Sequence, residues 1–299
     1  MSSVSNPENA LTKSAPPEQP PAVRARRTWP SIPVILSLLI LGVVLVLIVG
    51  AEFIAPYDPN AQDLNAVLQG PGGAHLLGTD DIGRDILSRL IYGTRISVLA
   101  GLIATVVAVV IGLPLGVLTG YLGGWVDTVF MRFVDALLSF PNIVLSIAIV
   151  AIVGPGLVTS MATVGVVMSP TIARLARAQT LSVKEATYIE AARSFGARGL
   201  RAIILRHLLP NMIQPVIVQL SITMGAAMLA EASLSFLGLG VQAPTASWGS
   251  LLNRAYTFIS VEPLQVFIPG VAIGLTVYAF VIVGDACQSL LDPKRRKAQ

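Results

Sequence analysis

Charged residues are scarce in this sequence and unevenly placed. Only 12% of the 299 residues are Asp, Glu, Lys or Arg, whereas 54% are hydrophobic and the mean hydropathy is +0.75. A typical soluble domain carries about 25% charged residues, so this balance excludes an ordinary soluble globular protein. The hydrophobic residues also lie in long blocks, and a helix needs about 20 of them to cross a bilayer.

Cysteine and histidine are almost missing as well. The single cysteine, Cys287, excludes a disulfide framework within the chain and a cysteine-based metal cluster. The two histidines, His75 and His207, fall on opposite sides of the topology predicted below, and no zinc-binding spacing is present. No lysine follows a glycine, so there is no phosphate loop for nucleotides. We therefore expect no catalytic residue, no metal and no cofactor in this chain.

Six apolar runs predict an all-α integral membrane protein with six transmembrane helices. In chain order the runs cover residues 34–51, 96–118, 136–153, 157–173, 212–234 and 266–287. The polar, proline-rich residues 1–33 predict a disordered tail. A cleaved signal peptide is the alternative, which the long polar lead-in disfavours. Residues 34–293 then form the membrane domain, and 294–299 a basic tail.

The basic residues predict the orientation of these spans. Fifteen of the 20 lie in the two tails or between residues 174 and 206, and Arg132 makes 16. By the positive-inside rule, these segments face the cytoplasm. Both termini and a loop at 174–211 are therefore predicted to be cytoplasmic, with outer loops at 52–94 and 237–265. The four exceptions are Arg84, Arg89, Arg95 and Arg254.

The outer loops hold two features with local explanations. Thr79-Asp80-Asp81 predicts a helix N-cap, and Ile82, Ile86 and Leu90 recur at the spacing of an amphipathic helix. This helix would lie either along the outer membrane surface or against the bundle. Trp248 fits either an interfacial anchor or a residue that gates substrate, and the sequence does not decide between them.

Inside the spans, small residues and one acid stand out. Gly112, Gly116 and Gly120 recur at four-residue spacing, which favours close helix packing over a role in transport. Glu231 falls near the outer end of span five. We expect it to face the bundle or the translocation path near an outer gate, with an interfacial position as the alternative. No charge lies clearly at mid-membrane, which weakens an ion-coupled carrier.

The cytoplasmic loop contains the string Glu190-Ala191-Ala192, then Gly196, then Leu208-Leu209-Pro210. Alanines make a small-faced helix that another protein's groove accepts closely, and Gly196 is suited to end that helix. Two short helices would form a rigid element that transmits a conformational change. Any cytoplasmic helical hairpin would look similar, so this pattern alone leaves both interpretations open.

This string resembles the EAA loop of ABC importer permeases, which forms the coupling helix that docks on the ATPase subunit. Gly196 and Pro210 are fourteen positions apart, one more than in the family pattern, which puts the register of the loop's second helix in doubt. Other strings resemble the C-type subunit of the dipeptide/oligopeptide permease family. They are His75–Asp80, Gly83–Asp85, Gly120–Trp125 with Asp127, Met131, Arg132 and Asp135, Leu234–Gly240, Ser247–Gly249, and Gly284 and Asp285 with Leu291–Pro293.

The resemblance implies the type I ABC importer permease fold and a non-catalytic permease subunit in the bacterial cytoplasmic membrane. It implies di- or oligopeptides as cargo, with nickel, glutathione or another small solute as the alternative. The implied partners are a B-type permease, two ATPases that hold ATP and Mg, and an extracytoplasmic solute-binding protein. The implied coupling residues are Glu190, Ala191, Ala192, Gly196 and Pro210. The candidates for the outer gate are Asp80, Arg84, Asp85, Glu231 and Trp248.

Two functions of other classes stay open at this stage. An ion-coupled carrier would transport its solute alone, without ATPase partners. A structural or signalling membrane protein would use the long outer loops for contacts.

Overall fold

The computed structural model describes residues 31–184 and 209–291, and within these ranges every regular element is a helix. The helices are α1 (Ile32–Ile54), α2 (Ile86–Leu122), α3 (Gly124–Leu138), α4 (Asn142–Val153), α5 (Leu157–Lys184), α6 (Leu209–Phe236), α7 (Trp248–Thr257) and α8 (Leu264–Leu291). In these ranges, β structure is confined to an isolated bridge between Thr79 and Asp85.

Five of the described helices, α1, α2, α5, α6 and α8, are long and apolar enough to cross a membrane. Helices α3 and α4 meet at a 90° bend and are long and apolar enough only when taken together, which is the geometry of a broken sixth span or of a re-entrant loop. The predicted all-helical membrane fold is therefore confirmed.

The third predicted span, 136–153, is wrong as a single helix. Helix α3 ends at Leu138 and α4 begins only at Asn142. Pro141 explains the break, because it has no N–H to donate and pushes the preceding residue out of helical geometry. Twelve residues give α4 a length of about 18 Å, well short of the ~30 Å hydrocarbon core.

The amphipathic helix predicted from Ile82, Ile86 and Leu90 is not a separate element, because its last two residues form the first turns of α2 and Ile82 lies before that helix. Helix α2 runs without interruption from Ile86 to Leu122, 37 residues or about 56 Å. Its N-cap is Asp85, whose side chain accepts the Ser88 amide, and not the predicted Thr79-Asp80-Asp81. The polar first turns of α2 lowered the local hydropathy, so the sequence pattern separated them from the apolar part.

The core lies where α2, α5 and α6 meet. Small side chains of α2 (Ala100, Ala104 and Ala108) pack against larger ones of α5, including Met161 and Ile172, and all five are buried. Small residues on one helix let the partner approach closely. The α2–α5 contact is the most extensive between described helices, while α1 packs against α8 and α2 at the edge.

The bundle has two distinct ends. The loop end is formed by residues 55–85 and 237–263, and the first of these segments is joined to the start of α8 where the Gln265 side-chain amide donates to the Thr79 carbonyl at 2.9 Å. At the opposite end, called the α5–α6 end, α5 finishes at Lys184, whose Nζ donates to the carbonyl of Tyr121 at 2.8 Å. Helix α2 therefore connects the two ends.

Candidate functional site

The loop between α1 and α2 is folded tightly by two glycines and a buried threonine. Gly78 and Gly83 have φ angles of +81° and +76°, and a Cβ at Gly83 would collide with the backbone of Asp63. Glycine adopts this conformation without strain. The buried Thr79 hydroxyl donates to the carbonyl of Ala66. The motif residues of this loop are thus held in one fixed arrangement.

Five charged side chains meet at this end and are called the loop-end cluster: Asp80, Asp81, Arg84, Arg89 and Arg254. The Asp80 carboxylate accepts the Arg84 Nε–H at 2.7 Å and the Arg84 amide at 3.0 Å. Its Oδ2 lies 3.8 Å from Arg89 Nε and 3.7 Å from Arg254 Nη1. Asp80, Arg84 and Arg89 are each 4% exposed. Buried charges are costly without partners, so each depends on the others.

Arg254 extends the cluster from α7 to the first loop. Its Nη1 also pairs with Asp81 at 3.1 Å. Arg89 and Arg254 were not predicted as site residues. The available signal was that they are two of only four basic residues on the predicted outer side. In the part of the chain that the structure describes, no three His, Cys, Asp or Glu side chains are placed to hold a metal ion. The cluster is therefore an arrangement of paired charges.

Asp85 acts as a cap within the loop end. Its carboxylate accepts the amide and the hydroxyl of Ser88, both at 2.7 Å, and lies 2.9 Å from His75 Nδ1. The ring of Tyr57 packs on His75 with centroids 4.9 Å apart. Asp85 is only 2% exposed, and these contacts supply the hydrogen-bond partners that its buried carboxylate needs. Its predicted role at a gate stays a prediction.

Trp248 begins α7 and is buried against α2. Its backbone amide donates to Ser97 Oγ at 3.0 Å, and its indole Nε1–H donates to the Leu90 carbonyl at 3.1 Å. Ser247 and Ser250 form a capping box around this helix start. At 2% exposure Trp248 does not fit an interfacial anchor. The structure gives it a packing role, and the gating hypothesis remains a prediction.

Glu231 lies inside the bundle near the end of α6. It is 1% exposed, and its Oε1 accepts the Ser235 hydroxyl at 2.7 Å. Ser235 Oγ in turn accepts the amide of Val241, which fixes the turn after α6. Ser97 and Ser247 also face the carboxylate. The contacts place Glu231 away from an exposed interface; whether it lines a translocation path stays a prediction.

The three regularly spaced glycines of α2 face α5. A Cβ at Gly116 would lie 2.8 Å from that of Ala176, and a Cβ at Gly120 would lie 2.9 Å from that of Thr180. A Cβ at Gly112 would collide with the backbone of α5. The two backbones are therefore too close for any larger side chain at these positions.

The predicted coupling residues are only partly visible. Glu190, Ala191, Ala192 and Gly196 lie outside the described residues. Pro210 is the second residue of α6 and is exposed. The coupling role of all five residues stays a prediction.

Ion pairs between α3 and α5 flank the α5–α6 end. Arg177 contacts both oxygens of Asp127, and Arg174 contacts Asp135. Lys184 follows at the last residue of α5. Asp127 and Asp135 belong to the strings that resemble the permease family, and their partners on α5 were not predicted. These pairs fix α3 across the helix that leads into residues 185–208.

Comparison with known proteins agrees with this architecture. Residues 112–297 match the family described as the binding-protein-dependent transport system inner membrane component. The glutathione transport system permease protein GsiD of Pectobacterium atrosepticum is 42% identical over 82% of this chain and 81% of that protein. GsiD of Shigella flexneri is 45% identical over 85% of this chain and 84% of that protein.

Solved structures show the same fold at lower identity. A chain of the MetNI methionine ABC transporter in an inward-facing conformation aligns with a TM-score of 0.55 and 23% identity. The alignment covers 72% of this chain and 96% of the MetNI chain. A second crystal form gives a TM-score of 0.56 at 22% identity, again over 72% of this chain. This likeness concerns the fold alone, whereas the family match and the GsiD relatives cover most of the sequence. The chain therefore belongs to the binding-protein-dependent transport system inner membrane component family, as a non-catalytic, multi-pass ABC importer permease of the peptide and glutathione (C-type) group.

Proposed function

We propose that this permease imports glutathione. One observation supports this cargo: relatives that are 42–45% identical over more than four fifths of the chain are named as glutathione transport permeases. The motifs favoured di- or oligopeptides and kept glutathione as the alternative. Glutathione is itself a tripeptide, so the two cargos belong to one chemical class.

The proposed assembly pairs this chain with a B-type permease, and the two enclose the path. Two ATPase subunits bind ATP and Mg on the cytoplasmic side, and an extracytoplasmic solute-binding protein delivers cargo to the loop end. The segment with Glu190, Ala191, Ala192 and Gly196 docks on an ATPase. It lies between the end of α5 and the start of α6, so a displacement there acts directly on two core helices.

The orientation belongs to the same proposal. Both termini face the cytoplasm of a bacterium, and the loop end faces outward. The charge distribution supports it, since most basic residues fall in the tails and between residues 174 and 206.

Uptake by reconstituted vesicles tests the cargo. Vesicles would contain this permease with its B-type partner and both ATPases, with the binding protein outside and ATP inside. We expect ATP-dependent uptake of labelled glutathione that excess unlabelled glutathione abolishes and nickel ions leave unchanged. If the vesicles take up a dipeptide but not glutathione, the proposed cargo is wrong and the assignment to the permease class still holds. Uptake driven by an ion gradient without the ATPases would instead support a secondary transporter.

A further inference from the structure

A polar cavity of about 150 Å³ opens beside the loop-end cluster. It is lined by arginines from the first loop, α2 and α7, by the turn after α6 and by polar residues of α7. The arginines are Arg84, Arg89 and Arg254, and the neutral polar side chains include Gln242, Thr245 and Asn253. The cavity has room for more than one water molecule, so it can admit a small polar group.

The charged side chains among the described residues lining this cavity all carry the same sign. Among the described residues that line it, three are arginines and none is acidic. Asp80 and Asp81 line instead a second, smaller cavity of about 20 Å³, which Arg254 also lines. Ser235, which donates to Glu231, lines the larger cavity, whereas Glu231 itself does not. A group that occupies the larger cavity therefore has guanidinium groups and neutral polar groups around it, and no carboxylate among the described lining residues.

The arginines also outnumber the acids that pair with them. One oxygen of Asp80 is shared by Arg84 at 2.6 Å, Arg254 at 3.7 Å and Arg89 at 3.8 Å. Asp81 adds one further pair, with Arg254. Two carboxylates thus face three guanidinium groups. The longest of these separations are at the limit of an ion pair, which leaves the cavity side of the cluster cationic.

The arginines are fixed as well as charged. Arg84 and Arg89 are each 4% exposed, and Arg89 is held further by a bond from Nη1 to the carbonyl of Pro59 at 2.9 Å. A planar guanidinium presents paired N–H donors that match the two oxygens of a carboxylate. Because these donors are preorganised, little side-chain entropy is lost when such a ligand binds.

We propose that this cavity is a carboxylate-binding site used during import. The assignment to import rests on the proposed function, since glutathione and other peptides carry carboxylates. The carboxylate has two sources at this end of the bundle: the cargo itself, or an acidic side chain of the solute-binding protein that docks there. Nearby hydroxyl and amide groups, at Ser250, Asn253 and Gln242, supply further donors.

A matched pair of variants at Thr245 tests the site. Thr245 is exposed and lines the cavity, so Thr245→Glu places a carboxylate at the arginines, while Thr245→Gln has the same size without charge. In the purified complex we expect acetate, against chloride at equal ionic strength, to raise the thermal midpoint by about 3 °C at a tenfold excess over its dissociation constant. Thr245→Glu should raise the midpoint without acetate and lose the acetate response, which Thr245→Gln retains. Equal behaviour of the two variants would overturn the proposal.

The half-exposed Arg254 distinguishes the two sources. If the carboxylate comes from cargo, Arg254→Gln raises the KM for glutathione severalfold and leaves the affinity of the binding protein for the complex unchanged. If it comes from the binding protein, that affinity falls instead. If neither the KM for glutathione nor the affinity of the binding protein changes, the cavity has no role in import. If the wild-type complex takes up no glutathione, the cargo proposal fails, while the contrast between Thr245→Glu and Thr245→Gln still decides the site.

Discussion

Trp248 and Leu90 are joined by a hydrogen bond from the indole Nε1–H to the helix carbonyl at 3.1 Å, across 158 residues of sequence. The same carbonyl accepts the hydroxyl of Thr94 at 3.0 Å. Together with the bond from the Trp248 amide to Ser97, this contact fastens α7 to the beginning of α2. The arginines on these two helices are thereby held at a fixed separation.

Trp248→Phe should destabilise the permease by about 1 kcal/mol, because the ring remains but the indole donor is lost. Trp248→Ala should cost about 3–5 kcal/mol, because it also leaves a cavity. Unfolding of the purified protein in detergent measures both. Trp125→Ala is the matched control, since Trp125 is 77% exposed. An equal loss at Trp125 would contradict the packing role of Trp248.

Gly116→Ala should destabilise the α2–α5 contact by about 1–3 kcal/mol, because the added methyl group overlaps Ala176 and the backbone at Ala173. Gly274→Ala is the control: a Cβ there has no atom within 4 Å, and alanine favours the helix by up to about 1 kcal/mol. Thermal unfolding of the two variants in the same detergent should shift in opposite directions. A neutral Gly116→Ala would mean that the helices are further apart than described.

Glu231→Leu should lower the yield of folded protein, because the Ser235 hydroxyl loses its acceptor in a buried position, at a cost of about 1–3 kcal/mol. Glu231→Gln keeps an acceptor and should be much milder. Size-exclusion profiles and thermal midpoints measure the difference. Glu52→Leu serves as a control, since its carboxylate is 65% exposed and its pair with Arg95 is worth little. If Glu231→Leu matches wild type in folding and transport, the hypothesis that the buried Glu231 carboxylate stabilises the protein is wrong.

Cysteine labelling tests the predicted orientation after Cys287 is replaced by alanine. Cysteines at Ser5 and Ala298 should resist membrane-impermeant thiol reagents in intact cells, whereas one at Ala61 should react. Ala61 is exposed, whereas Ala66, further along the same loop, is 5% exposed and unsuitable as a probe. Labelling at either terminus would invert the topology.

Ala192→Trp should uncouple transport if residues 190–196 dock on the ATPase, because a bulky ring blocks close approach. Gly196→Val should do the same if the chain turns there with positive φ, which a β-branched residue tolerates poorly. Pull-down of the ATPases and cargo-stimulated ATP hydrolysis measure the effect. Ala298→Trp, on the same predicted side of the membrane, is the control. Coupled transport at wild-type rates by both variants would remove the docking role from this segment.

Hydropathy predicted the spans well where a helix is apolar along its whole length. The run 34–51 corresponds to α1 and 266–287 to α8, each extended by a few residues at its ends. Hydropathy failed where part of a helix is polar and where the chain bends within an apolar run. Polar residues in its first turns hid the start of α2 at Ile86. The break at Pro141 was hidden because the mean hydropathy of residues 136–153 is high whether or not the helix is continuous.

The loop-end cluster was less predictable still. Asp80 and Arg84 were singled out by a local motif, and they do pair with each other. Arg254 reaches the same carboxylate from a helix far along the chain. Such a pairing depends on how α7 packs on α2, and no local pattern encodes it. The Trp248 contact that determines this packing is equally non-local.

Two prolines give the α2–α5 pair one layer in which it can flex. Pro114 lies inside α2 and Pro170 inside α5, and Gly112 contacts Ser169 between them. Each proline removes a backbone hydrogen bond, so bending stiffness falls in both helices at the same height. Elsewhere, glycine contacts at Gly116 and Gly165 keep the two backbones in register. The packed pair therefore has a stiff segment on each side of the layer that contains the prolines, and it bends most easily at that layer.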